Sequence, residues 1–152
     1  MATPYSDVIN SFIMKIEGYK LLTLLPEDRE EVIMFYLNSA RAKFYKKCKH
    51  DLLDVDTENN LFLDTLTIDE IDILSEIMIV EWLSPQIYSD ELLESRLNTK
   101  DFTEYSPAKL IEQINIVYKE SKKRVKYMII QYTYEHGNVR DLDEEWNKNF
   151  IQ

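Results

Sequence analysis

Apolar residues recur every three or four positions in four segments of the chain, which is the periodicity of an amphipathic helix. The first segment runs from about residue 4 to residue 19 and the second from about 26 to 49. We expect Thr3 to cap the first helix and Pro4 to occupy its first turn. Proline suits that position because its missing amide hydrogen needs no partner there.

The third segment opens with Thr67-Ile68-Asp69-Glu70, the pattern of a capping box in which threonine and glutamate each satisfy the other's backbone amide. Four consecutive apolar residues at 77–80 predict a helix buried on most sides, and therefore central in a bundle. Pro85 removes a hydrogen bond to the carbonyl of Glu81, so the helix is expected to kink or end there. A short continuation is expected through Leu97.

The fourth segment opens with Ser106-Pro107 and keeps apolar spacings of three or four as far as Tyr132. Gly137-Asn138 is expected to end it. Residues 127–134 are apolar or aromatic on almost every side. This end of the helix is therefore either deeply buried or in contact with another subunit.

Residues 50–66 and the tail from Val139 lack this periodicity and are expected to be irregular. The pattern predicts an all-α bundle of about four helices, with a kinked third helix, an irregular acidic loop and an extended C-terminal arm. We expect one bundle domain over residues 1–138 and a docking arm over 139–152. With 152 residues, the chain is near the usual size of one domain, and its two glycines are few for a sheet protein or a phosphate-binding loop.

The charged residues are unevenly distributed along a chain whose net charge is −10. Residues 38–50 hold five basic residues and no acid, whereas residues 51–104 hold fifteen acids against two bases. Residues 105–137 are basic again, with a net charge of +3. This charge pattern favours basic and acidic faces that complement one another within one fold. The alternative is electrostatic complementarity between neighbouring copies of the chain.

Candidate chemistry is sparse. Cys48 is the only cysteine, so neither an internal disulfide nor a site built from several thiolates can form. The side chains of Cys48 and His50 are expected to point apart at a helix end, and His136 is explained by a helix C-terminus. The chain start lacks a secretion signal and no apolar run approaches the ~20 residues that span a bilayer. A soluble intracellular protein without a membrane partner is expected.

Oxygen-bearing side chains at Asp54, Asp56 and Glu58 superficially resemble the start of a calcium loop. Such a loop needs glycine at its sixth position and glutamate at its twelfth, where this chain has Asn59 and Thr65. A solvated acidic loop is the favoured interpretation, and no cofactor or metal is expected. Glu81 beside the apolar seam is expected to pair with a lysine, arginine or tyrosine, because burying it alone is costly.

Two surface features point to binding. Four basic residues of the fourth helix are suited to contact phosphates: Lys122, Lys123, Arg124 and Lys126. The net charge of −10 nevertheless argues against nucleic acid as the main partner. The tail carries Leu142, Trp146 and Phe150 at spacings of four, which is typical of a helical stripe. These anchors either fold back on the bundle or dock on a partner.

The run Met78-Ile-Val-Glu-Trp82-Leu-Ser-Pro85, followed by Leu97-Asn-Thr-Lys-Asp-Phe102-Thr-Glu-Tyr105-Ser-Pro-Ala108, resembles small head–tail connector proteins of tailed bacteriophages. The likeness covers roughly residues 25–135. It implies a non-enzymatic virion protein, assembled in the host cytoplasm, that forms a ring of about twelve copies beneath the portal. The ring extends the DNA channel, meets DNA only as the passing genome, and docks the next neck or tail protein.

The resemblance also implies roles for particular residues. A C-terminal arm grips the portal through Leu142, Trp146, Phe150 and Ile151. Phe102 and Tyr105 pin a loop to the bundle or to the adjacent subunit. Charged contacts between copies involve Lys46, Lys47, Lys122, Lys123, Arg124 and Lys126. From charge alone, the acidic stretch from 51 to 64 that includes Asp54, Asp56 and Glu58 is expected to lie near the channel, where its negative charge repels passing DNA.

Two other classes of function remain as alternatives. One is a small acidic binding module that sequesters a basic partner. The other is a helical enzyme, which needs a convergent polar pocket that the sequence does not indicate. Recovery of a basic host protein without any association with virions would favour the binding module.

Overall fold

The computed structural model describes residues 2–19, 21–22, 25, 29–87 and 107–136. The helices are α1 (Tyr5–Gly18), α2 (Arg29–Phe44), α3 (Ile68–Ile87) and α4 (Pro107–His136). Three two-residue strands accompany them: β1 (Thr3–Pro4), β2 (Val55–Asp56) and β3 (Leu61–Phe62). The all-α class expected from the hydrophobic periodicity is confirmed.

Helix α3 lies at the centre of the bundle and packs against α1, α2 and α4. Every residue from 73 to 79 is buried, including the polar Ser75 and Glu76. A helix with neighbours on three sides needs apolar residues almost all round, which explains the run at 77–80. The predicted central position of this helix is confirmed.

Aromatic side chains join the helices inside the core. Phe12 of α1 meets Trp82 of α3 edge to face, with 6.0 Å between the ring centroids. Phe44 of α2 meets Tyr132 of α4 in the same manner at 5.3 Å. Such pairs contribute about 0.5–1.5 kcal/mol beyond the burial of their area, so the two contacts help to fix how the helices pack.

The segment 50–66, expected to be irregular, carries a small β-hairpin. Its strands β2 and β3 are antiparallel, and β1 pairs with the other side of β3. The turn between them places Asn60 in the left-handed region, at φ 55°, a conformation that asparagine tolerates better than most residues. Phe62 is fully buried and packs against Tyr5, so the hairpin is attached to the helical core.

The predicted cap of the first helix is wrong. Thr3 and Pro4 belong to β1, and α1 begins at Tyr5 without a side-chain cap. The Thr3 hydroxyl donates to the carbonyl of Asp64 at 3.0 Å and accepts from the amide of Leu66 at 2.8 Å. Thr3, which the local pattern assigns to a helix end, is therefore used in the tertiary structure to pair β1 with β3 and to bind the segment that follows β3.

Two other helix ends differ from those expected, and α2 ends about five residues before Lys49. Helix α2 ends at Phe44, and residues 45–47 form a turn. Helix α3 does not end at Pro85 but continues to Ile87, and the side-chain amide of Gln86 donates to the carbonyl of Trp82 at 3.0 Å. The expected continuation to Leu97 lies outside the described residues. Helix α4 begins at Pro107 as predicted.

The predicted inner face of α4 is confirmed. Five of its seven positions are buried: Leu110, Ile114, Val117, Ser121 and Tyr132. The other two, Val125 and Met128, are half-buried and pack against the core. No described helix combines the length and the apolar character that crossing a membrane requires.

Candidate protein-binding surface

The carboxylate of Glu70, at the start of α3, is contacted by four residues at one end of the bundle. Its Oε1 accepts the amide of Thr67 at 2.8 Å and lies 2.7 Å from Nδ1 of His50. Its Oε2 accepts the thiol of Cys48 and the hydroxyl of Tyr132, each at 2.9 Å. The predicted capping box is confirmed, because the amide of Glu70 in turn donates to Oγ1 of Thr67 at 3.2 Å.

Cys48 and His50 were expected to point apart, and this expectation is wrong. Helix α2 ends at Phe44, so helical spacing does not govern the direction of the two side chains. Both reach the same carboxylate. The hydroxyl of Tyr132 also accepts the amide of Lys49 at 2.8 Å, so α4 holds the turn that follows α2.

These contacts decide the protonation of the cluster. Burial raises the pKa of Glu70, but the hydrogen bonds from Cys48, the Thr67 amide, Tyr132 and His50 outweigh it and hold that pKa at about 2. Burial, reinforced by the contact with Glu70, raises the pKa of the Cys48 thiol to about 12. Burial also raises the pKa of Tyr132.

The cluster of Glu70, Cys48, His50 and Tyr132 is therefore suited to stabilising the packing of α3, α4 and the segment after α2. A thiol with a pKa near 12 is almost fully protonated at neutral pH, whereas a nucleophilic cysteine needs its thiolate. An ionised Glu70 accepts only, so the hydrogen between it and His50 sits on Nδ1. Within residues 2–87 and 107–136, as far as they are described, no group of three His, Cys, Asp or Glu side chains has the arrangement of a metal site.

Glu76 forms a second buried junction, where α3 meets α1 and α4. Its side chain is 1% exposed, and its two oxygens lie 2.8 Å from Nζ of Lys15 and 2.8 Å from Nη1 of Arg124. Arg124 also donates to the hydroxyl of Tyr19 at 2.6 Å. A carboxylate this deeply buried needs such partners, because an unpaired buried charge is very costly.

The basic residues that were expected to contact neighbouring copies differ in whether they form ion pairs within the chain. Arg124, grouped with the lysines of its helix, is itself 43% exposed, but its guanidinium binds the buried carboxylate of Glu76. Lys43 pairs with Glu81, which confirms the expected partner for that acid. Lys46 and Lys47 lie exposed in the turn after α2.

The acids of the hairpin have a local role as well. Asp56 accepts the side-chain amide of Asn59 at 2.7 Å and the amide of Glu58 at 3.1 Å. The bond from Asn59 lowers the pKa of Asp56. Asp54 and Glu58 are exposed, and their nearness to a DNA channel stays a prediction.

The outer side of α4 carries large exposed apolar residues. Ile116, Tyr127 and Tyr134 are 43%, 65% and 56% exposed. They are 11 and 7 residues apart, close to whole numbers of helical turns, so they form one line along the helix. Residues 127–134 are thus buried on one side, at Tyr132, and exposed on the other, and their contact with another subunit stays a prediction.

Beside this line lies a row of lysines, which we call the basic face: Lys119, Lys122, Lys123 and Lys126. All four are exposed. Nζ of Lys122 sits 5.8 Å from the centre of the Tyr118 ring, within the range of a cation–π contact. Helical spacing places the basic face roughly opposite the side of α4 that packs on α3.

On that packed side, a cleft of about 180 Å³ opens between α3 and the C-terminal half of α4. Three carboxylates line it, those of Asp69, Asp72 and Glu135. The apolar wall is formed by Ile73, Met128 and Tyr132. Ile68, immediately before Asp69, is 85% exposed.

Several predicted contact residues lie outside the described residues. These are Phe102 and Tyr105 of the loop, and Leu142, Trp146, Phe150 and Ile151 of the arm. The partners of Tyr132 could not be identified from local spacing, although a buried tyrosine hydroxyl usually has a hydrogen-bond partner. No protein-family model, curated protein or solved structure matches the chain.

Proposed function

We propose that this chain is a non-enzymatic structural protein that assembles side by side with copies of itself as the connector ring of a tailed bacteriophage. The observation that carries the proposal is the exposed line of Ile116, Tyr127 and Tyr134 on α4. Large apolar residues aligned on one helix face are typical of contact surfaces. The basic face beside them supplies charge for partner choice.

The resemblance at residues 78–85 and 97–108 supports the particular assembly. In this proposal the ring lies beneath the portal and extends the DNA channel, and the arm from Val139 onward grips the portal. The cluster around Glu70 supports a structural role, since its thiol and phenol are held protonated.

Self-assembly is tested with purified protein, alone and mixed with purified portal. Light scattering coupled to size exclusion gives the mass, and electron microscopy of the mixture is expected to show rings on the portal. Replacing Tyr127 and Tyr134 with serine should weaken assembly at least tenfold. Met14→Ser is the matched control, since Met14 is 71% exposed on α1 and should leave assembly unchanged.

Truncation before Val139 tests the arm separately. The truncated chain is expected to keep its helical circular dichroism and to lose portal binding. Normal docking of the truncated chain contradicts the proposed arm. Capture of a basic host protein, with no binding to portals or particles, favours the acidic binding module instead.

A further inference from the structure

The cleft between α3 and α4 joins an apolar wall to an acidic rim. Asp72 is already bound to Lys15. Asp69 and Glu135 are exposed, and neither takes part in an ion pair among the described residues. The negative charge left at the rim is therefore that of Asp69 and Glu135.

A lysine side chain matches this cleft. Its four-carbon stem covers apolar surface while its ammonium group seeks oxygen atoms. Here the stem would lie along Ile73, Met128 and Tyr132, and the ammonium between the carboxylates of Asp69 and Glu135. A cleft of about 180 Å³ has room for one such side chain.

The basic face of α4 carries lysines, but on the opposite side of the helix from the cleft. A lysine of this face cannot reach the cleft of its own chain, because the helix itself stands between them. It is exposed to a neighbouring copy instead. Exposed apolar residues accompany both surfaces: Ile68 beside the cleft, and Tyr127 beside the basic face.

We propose that the cleft of one copy receives Lys122 or Lys123 from the basic face of a second copy. This inference rests on the proposed assembly and names its contact. Because the two surfaces lie on opposite sides of one helix, each bound copy keeps a free cleft at its far side. A head-to-tail contact of this kind repeats, and it gives a closed ring when the rotation between copies closes.

Charge reversal tests the contact. One variant carries Asp69→Lys and Glu135→Lys, and another carries Lys122→Glu and Lys123→Glu. Each is expected to weaken self-association at least tenfold, measured by mass photometry at low salt. An equimolar mixture of the two should assemble again, since the reversed cleft and the reversed face are complementary.

The control variant carries Asp54→Lys and Glu58→Lys on the exposed hairpin, which changes the net charge by the same amount as the cleft variant. It should assemble like the unmodified chain. Circular dichroism checks that each variant is folded. The neutral pair Asp69→Asn and Glu135→Gln replaces the cleft variant if lysines prevent folding, with an expected loss of about threefold or more.

Other results overturn the inference in distinguishable ways. Normal assembly of both reversed variants, or failure of the mixture to recover, rejects this contact while the proposed function stands. Equal weakening by the hairpin control also rejects it, because the effect is then general repulsion. An unmodified chain that stays monomeric with and without portal rejects the proposed function, and the contact with it.

Discussion

Nη1 of Arg124 on α4 lies 2.8 Å from Oε1 of Glu76 on α3, and the carboxylate it contacts is 1% exposed. Lys15 binds the other oxygen from α1. One buried acid thus connects the central helix to two of its three neighbours. Arg124 acts within its own chain, while the lysines next to it in sequence face solvent.

Replacing Arg124 with methionine should lower the free energy of unfolding by about 1–2 kcal/mol. The loss is moderate because Lys15 still neutralises Glu76. Urea unfolding monitored by circular dichroism gives the value. Lys123→Met changes the adjacent exposed position and should stay within about 0.5 kcal/mol of the unmodified chain. Equal effects of the two substitutions contradict a stabilising ion pair between Arg124 and Glu76.

Glu70→Gln should destabilise the protein by roughly 2–3 kcal/mol near neutral pH, because the amide cannot accept all the donors that converge there. The folded-state pKa of Glu70, about 2, is below its ordinary value of 4.5. Stability that depends on its ionisation is therefore fully present above pH 4.5 and is lost as the pH falls toward 2.

The difference in unfolding free energy between Glu70→Gln and the unmodified chain should shrink over that pH range. Urea titrations at pH 7, 4 and 2.5 measure it. Glu58→Gln, on the exposed hairpin, serves as the control and should show little difference at any of these pH values. A gap that stays constant from pH 7 to 2.5 speaks against an ionised Glu70 in the folded protein.

Cys48 should react slowly with iodoacetamide at pH 8, because burial and Glu70 hold its pKa at about 12. We expect labelling at least a hundredfold slower than in urea-unfolded protein, followed by intact mass. Rapid alkylation of the folded, unmodified chain is the contrary result.

Thr3→Val should cost about 1–3 kcal/mol, because it leaves the buried amide of Leu66 without its acceptor. Ser6→Ala, three residues further on at an exposed position of α1, should cost much less. Thermal unfolding of both variants provides the comparison. Thr3→Val should also speed hydrogen exchange at the amide of Leu66, which loses its acceptor. Unchanged exchange at Leu66 would instead indicate that Thr3 acts only as a local helix cap.

The sequence alone determined the helices and much of their burial. Spacings of three and four residues placed Ile114, Val117 and Tyr132 on the inner face of α4, and the run at 77–80 placed α3 in the centre. The capping box at Thr67 and Glu70 was also readable. These features depend on neighbours within one or two helical turns, and the order of residues encodes them directly.

Only the tertiary structure decided which distant residues meet. Cys48, His50 and Tyr132 converge on Glu70, and Thr3 reaches Leu66, across separations that no local spacing reports. Arg124 and Lys123 are neighbours in sequence and both are exposed, yet only the guanidinium of Arg124 is placed to bind the buried Glu76. Such pairings follow from helix packing, which sets the depth of each side chain and requires every buried polar group to find a partner.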